Sequence, residues 1–276
     1  MIQMPRPKKY FDEEIEKDIR MFFQDPNHWV YQYGTPSECG PTSPYYKRQV
    51  EVLFEDQYFH WVTHRIINKL IRENFLKEIK MKLPSGVEIK FVVRSDVRYY
   101  KREIKRRIKL IEWYSSPKIT GVLGKWGEHL AEFMFLRLKF NIVDRNTNKF
   151  KGKVWTQTNH DLDFIVEKDG IYYGVEVKNI LPYMERDEFN IKLEMCRFLG
   201  LVPLWILRNA PKDQFDKIRK NGGFILKFKS QVYPIGFEDK VREIWNLMRL
   251  PVTVWERFPK KLEKLTLRFH DSLIKK

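Results

Sequence analysis

Asp163, Glu176 and Lys178 are the residues whose types and spacing could do chemistry together. They lie in the stretch HDLDFIVEKDGIYYGVEVKN, His160 to Asn179, where Asp169-Gly170 separates two apolar-rich runs. Asp-Gly between such runs signals a two-residue hairpin turn. A tight turn sets the register: Lys168 faces Ile171, Phe164 faces Val175, Asp163 faces Glu176 and Asp161 faces Lys178. Side chains alternate across a strand, so Asp161, Asp163, Glu176 and Lys178 share one face; Phe164, Val175 and Val177 take the other. Carboxylates directly opposite one another repel. A divalent cation between them removes the repulsion, and two carboxylate oxygens on adjacent strands suit Mg²⁺ or Mn²⁺. Lys178 points into the same space, where an ammonium positions a water or stabilises charge growing on a phosphate. The competing reading is a solvated face with an Asp161–Lys178 pair contributing about 0–1 kcal/mol. Ile165, Val166, Val175 and Val177 favour interior strands, whose carboxylates need partners.

The elements around the hairpin follow from pattern and punctuation. GKWGEHLAEFMFLRLKF reads as a helix with Leu130, Phe133, Met134 and Leu138 on its buried side, and NIVDRN as a short strand. After the hairpin, RDEFNIKLEMCRFLG is a helix ended by Gly200, LVPLWILR a buried strand, and GGFILKF a further strand. The order helix, strand, strand, strand, helix, strand predicts an α/β unit with a mixed sheet. Upstream, Asp12–Phe23 is a short helix, and YQYGTPSECGPTSPYY reads as irregular. Lys47–Met81 reads as helical through Leu53, Trp61, Ile66, Leu70, Ile71, Phe75 and Ile79. SGVEIKFVVR is a turn and strand. SDVRYYKREIKRRIKLIEWY is a basic helix with Ser95 as its N-cap, and SSPKITGVLG is the break between domains. The expected division is a basic, mainly helical region 1–118, an α/β core 119–236 and a basic helical C-terminal extension 237–276.

Charge points to the partner. The 276 residues carry 52 Lys/Arg against 36 Asp/Glu, a net of +16, and a field of that sign attracts polyanions, nucleic acid first. Residues 65–118 hold 16 basic and 6 acidic side chains, whereas 151–210 hold 8 and 9. The hairpin thus sits in a stretch that is not basic: a cation site beside a polyanion site. In the basic helix Lys101, Arg102, Lys105, Arg106 and Lys109 lie along one side, with Ile104, Ile108 and Ile111 on another, a pattern suited to phosphate contact. Tyr99 and Tyr100 beside it are of a type that stacks on bases.

Other chemistries lack their motifs. His60 and His64 stand at zinc-binding spacing without a third ligand. His160 and His129 flank the acidic residues without completing a motif. There is no P-loop and no dinucleotide fingerprint, so no nucleotide cofactor is expected. Cys39 and Cys196 are too far apart for a disulfide framework, and no apolar run has membrane-spanning length. A cytoplasmic, membrane-independent protein is expected, and abundant Lys, Glu, Arg and Ile accord with a thermophile.

Asp163, a hairpin and then Glu176-Val177-Lys178 resemble the D…ExK signature of the PD-(D/E)xK nuclease superfamily, over roughly 121–208. Leu162 stands where the superfamily's name has proline. The resemblance implies a restriction-endonuclease-like mixed sheet flanked by helices. It also implies a glutamate from the preceding helix, matched by Glu128 with Glu132 as the alternative, and a polar residue from the following helix that reaches the site, matched by Lys192, which is also a candidate for nucleic-acid contact. The activity implied is Mg²⁺- or Mn²⁺-dependent phosphodiester hydrolysis, with Asp163, Glu176 and Glu128 as metal ligands and Lys178 assisting the water. The expected substrate is double-stranded or branched DNA, and a homodimer is expected by analogy. The rival readings are a nucleic-acid-binding protein without catalysis, and a structure-specific resolvase or RNase.

Overall fold

The computed structural model describes residues 12–25 and 38–275. The chain divides into two units, one running to Tyr114 and including Arg242–Leu250, the other comprising Ser115–Val241 and Pro251–Lys276. The residues read as a C-terminal extension are therefore shared between the units.

In the first unit, helices α1 (Asp12–Gln24), α2 (Lys47–Leu53) and α3 (His60–Arg72) pack with strands β1 (Tyr45–Tyr46), β2 (Leu76–Lys82) and β3 (Glu88–Arg94). Ile19, Phe22, Phe23, Tyr45, Val50, Ile66 and Leu70 fill its core. The expected single helix over Lys47–Met81 is instead two helices and a strand. Asn74, in the left-handed region at φ 57°, stops α3, and LKEIKMK then pairs along its whole length with β3. Trp61, expected inside, is 55% exposed. Ser95 caps no helix: its N–H bonds Phe75 O at 3.0 Å, closing the β2–β3 pair, and α4 begins only at Lys101 and runs to Ser115. On α4 the buried stripe is Ile104, Arg107, Leu110 and Ile111. Of the residues read as irregular, 31–37 lie outside the described residues.

In the second unit a mixed five-stranded sheet has the order β10-β9-β8-β7-β4. Its strands are β4 (Asn141–Thr147), β7 (Leu162–Lys168), β8 (Ile171–Lys178), β9 (Val202–Leu207) and β10 (Phe224–Lys227). β7 is antiparallel to its neighbours β4 and β8; β8, β9 and β10 run parallel. A parallel neighbour needs a crossover, supplied by α6 (Arg186–Leu199) between β8 and β9 and α7 (Lys212–Lys220) between β9 and β10. A small hairpin, β5 (Lys149–Phe150) and β6 (Lys153–Val154), follows β4. β11 (Gln231–Tyr233) pairs with β12 (Val252–Val254); between them in the chain runs α8 (Glu238–Met248), which belongs to the first unit from Arg242 on, and α9 (Lys260–Ile274) ends the chain.

The sheet is covered on both faces. α5 (Pro117–Arg137) and α9 pack Leu130, Met134, Phe135 and Leu262 against Phe164, Val175, Val177, Leu204 and Ile206. On the other face α6 and α7 bring Phe189, Leu193, Cys196, Leu199 and Ile218 against Ile165, Trp205 and Leu207. α5 starts earlier than its sequence suggests. Ser116 accepts from Ile119 N–H, Pro117 occupies the first turn, and the supposed break SSPKITGVLG is mostly helix. Phe133, expected on the buried side of α5, is 44% exposed.

Candidate active site at the end of the central hairpin

The central hairpin has the register its turn demands. Asp169 (φ 49°) and Gly170 (φ 79°) both take positive φ, the requirement of a two-residue type I′ turn. The ladder runs from Lys168↔Ile171 to Phe164↔Val175. Beyond it, Asp163 Oδ2 accepts the Val177 N–H at 2.6 Å, which joins the two strand ends through a side chain. Phe164, Val175 and Val177 enter the core under α5, and Glu176 and Lys178 face α6.

Glu176 is fully buried and sits between two ammonium groups. Lys192 Nζ, from α6, is 2.8 Å from Oε2, and Lys178 Nζ is 2.9 Å from Oε1. The Lys178 contact is an ion pair off the line of a hydrogen bond, which leaves Oε1 without one. Lys178 also reaches Glu188 Oε1, on α6, at 2.7 Å. Burial works against its charge, but Glu176 and Glu188 outweigh this and hold its pKa above the usual lysine range. Lys192 is buried, and its ammonium also donates to the Asp161 carbonyl. It thus points inward, onto Glu176, and not outward to a phosphate backbone. The Asp161–Lys178 pair of the competing, solvated-face reading does not form: Asp161 lies before β7, its carbonyl serves Lys192, and Lys178 pairs with Glu176 and Glu188.

Asp163 feels both burial and its neighbour. Burial, then the negative charge of Glu176, raise its pKa to about 7, although the Val177 N–H and the two lysines pull the other way. Glu128, on α5, is likewise raised by burial and then by Glu176. Its position depends on Gly127. A Cβ there would lie 2.8 Å from the Asn179 Cβ and 3.4 Å from Val177, so only glycine lets α5 approach β8 this closely. Gly127→Ala should therefore destabilise the unit by about 1–2 kcal/mol despite alanine's better helix propensity. Gly121→Ala and Gly124→Ala, which meet open space, should stabilise by about 0.5–1 kcal/mol. Urea midpoints of the three variants check the contrast.

Among the described residues no three His, Cys, Asp or Glu side chains form a group that would hold a metal. The expected set of Asp163, Glu176 and Glu128 is thus not drawn together around one point. Glu132, the alternative, pairs with Arg145. The donors present still suit one metal class. Mg²⁺ is commonly held by one or two carboxylates, with waters and substrate phosphates completing its shell. A buried Glu176 Oε1 lacking a hydrogen bond, beside an Asp163 that resists ionising, fits such an ion.

The supporting residues carry no motif. Asn179, directly after Lys178, is buried and donates to Leu123 O (2.9 Å) and Val232 O (2.6 Å), while its Oδ1 accepts from Val232 N–H (2.7 Å). It ties β8 to α5 and β11. Arg208 is buried and donates to the carbonyls of Ile180, Leu181 and Lys229, fixing the chain that leaves Lys178. Glu188 was missed, although its i, i+4 spacing from Lys192 on one helix face was a signal that could have marked it. Cys39 and Cys196 are buried thiols, neither in a disulfide. His64 bonds Glu51 and His160 bonds Thr158.

The basic residues of α4 belong to the first unit. Lys101, Arg102, Lys105, Arg106 and Lys109 are all exposed, and Arg106 pairs with Glu38 at 2.7 Å. Tyr99 is 93% exposed.

Fold and site together define a class: a mixed α/β unit carrying a buried carboxylate–lysine cluster where its central hairpin opens. Comparison of the chain with models of protein families, with curated proteins and with solved structures finds no match. Among the described residues no helix is long and apolar enough to cross a membrane.

Proposed function

We propose that the second unit is a divalent-metal-dependent nuclease that hydrolyses phosphodiester bonds in DNA, on a restriction-endonuclease-like core. The observation that carries this reading is the convergence of Asp163, Glu176 and Lys178 at the open end of one hairpin, with Glu176 fully buried. A helix before the hairpin, a mixed sheet, and a helix crossing from β8 to a parallel β9 support it. Asp163 and Glu176 would hold Mg²⁺ or Mn²⁺. When bound, the ion would lower the pKa of a water and neutralise phosphate charge. Lys178, held protonated by its two glutamates, acts as a fixed positive charge toward the phosphate and not as a base. Lys192 fixes the orientation of Glu176 through Oε2. The net charge of +16 supports a polyanionic substrate.

One observation favours the rival, a nucleic-acid-binding protein without catalysis: two lysines already balance Glu176. A cleavage assay decides. Labelled duplex, single-stranded and branched DNA, and RNA, would be incubated with Mg²⁺, Mn²⁺ or EDTA. Asp163→Asn and Lys178→Met would run beside the wild type. Cleavage that needs metal and falls at least about 100-fold in both variants is expected, the scale of losing one electrostatic contact to the transition state. Binding without cleavage of any substrate would establish the rival.

A further inference from the structure

The β5–β6 hairpin is short, basic and backed by aromatic rings. Lys149, Lys151 and Lys153 alternate with Phe150 and Gly152. Together with Val143, Val154 and Tyr172, and with Asp144 at one side, they line an open groove of about 450 Å³. Phe150 and Tyr172 stand 4.9 Å apart at 52°, and the Lys151 ammonium lies 3.9 Å from the Tyr172 ring centroid. Lys153 is anchored to the Phe198 carbonyl at 3.0 Å.

Lys151 occupies a costly place. It and Gly152 form the two-residue loop, at φ 45° and 79°. The first position of such a turn favours Asn, Asp or Gly, and Asp169 meets that preference in the central hairpin. A lysine held in the left-handed region against backbone preference points to a use for its side chain.

We propose that this groove binds an unpaired stretch of nucleic acid. A base enters between the apolar wall and the Phe150–Tyr172 pair, and flanking phosphates meet Lys149 and Lys151. Rings plus cations along a groove are what single-stranded binding requires, because every base has a face to stack and every linkage a charge. Membrane insertion fits less well: the rings are partly buried in the groove, and the tip of the hairpin is Lys151-Gly152. Tyr172 and Glu176 lie on one face of β8, four residues or about 13 Å apart. The inference rests on the polyanion half of the function proposed above and not on its metal chemistry.

The test is binding in EDTA, where catalysis cannot intrude. Fluorescence anisotropy of the full chain would be read with a labelled oligo-dT strand, a duplex of equal length, and phosphatidylserine vesicles. Lys151→Asn should leave the melting temperature unchanged or higher, since asparagine suits the turn, and weaken oligo-dT binding about 10-fold. Tyr172→Leu should weaken it about 5- to 100-fold, the range of one lost stacking contact. Duplex affinity should change less than about twofold in either variant. Oligo-dT affinity equal to wild type in both variants, or losses confined to duplex or vesicles, would overturn the proposal. So would a wild type that binds no oligo-dT. A failed cleavage assay with these binding results intact would remove the nuclease reading alone.

Discussion

Glu176→Ala is expected to lower stability by about 3–5 kcal/mol, because it strips a buried ammonium of its counter-charge. Lys192 keeps 7% of its side-chain surface, and its remaining partner is the neutral carbonyl of Asp161. Lys178 is 24% exposed and retains Glu188, so most of the cost falls on Lys192. Removing both charges should cost far less. Buried ion pairs replaced by neutral groups of similar volume are often neutral or stabilising, so Glu176→Gln with Lys192→Met should recover most of what either single change loses. Guanidinium unfolding of the two singles and the double gives the coupling, expected above about 1.5 kcal/mol for groups in direct contact. A coupling near zero would mean that the Lys192–Glu176 contact does not exist in solution. The same reasoning explains why Glu176→Ala is a poor probe of catalysis: it removes the proposed ligand and the stability together. Asp163→Asn and Lys178→Met separate the two.

The central hairpin was legible because its information is local. Asp169-Gly170 sets the turn, the turn sets the register, and alternation then sorts Glu176 and Lys178 from Val175 and Val177. Helix α6 was legible for the same reason, with Gly200 at φ 76° as its stop. The misses come from competition between local and distant forces. LKEIKMK suits a helix or a strand, and pairing with β3 decides it. Gly121, Gly124 and Gly127 argue against a helix, but Gly127 is there so that α5 can touch β8. Asn179 and Arg208 satisfy carbonyls from segments up to 56 residues away, and no local pattern marks such a role. Leu262 and its neighbours on α9 form a readable apolar stripe, yet nothing in the chain says which sheet it covers. Lys192 was reached through family resemblance; its partner could not be read, because a buried ion pair between a helix and a strand follows no spacing rule.

Asp163→Asn should stabilise the protein at neutral pH while abolishing metal-dependent cleavage. The folded-state pKa of Asp163 is raised to about 7 by burial and by Glu176, against about 3.9 for an unperturbed aspartate. Between those values the folded state holds the proton more tightly than the unfolded state. Stability from this group is therefore fully present below about pH 4 and is lost as pH rises toward 7, by at most about 4 kcal/mol over three units. Asparagine resembles the protonated carboxyl and can still accept the Val177 N–H, so it keeps the structural bond without the titration. In EDTA the variant should match the wild type near pH 3.5 and exceed it in melting temperature at pH 8. Taking the difference between the two proteins cancels the other titrating groups. Divalent metal should then narrow the gap at pH 8: an ion at 100 times its Kd adds about 2.7 kcal/mol to the wild type alone. A wild-type–variant difference that is the same at both pH values would refute the raised pKa, and equal stabilisation by Mg²⁺ would refute Asp163 as a ligand. The Val177 bond does not explain a carboxylate kept where its charge weakens the fold at neutral pH, because asparagine would make the same bond; a bound cation would turn that liability into affinity.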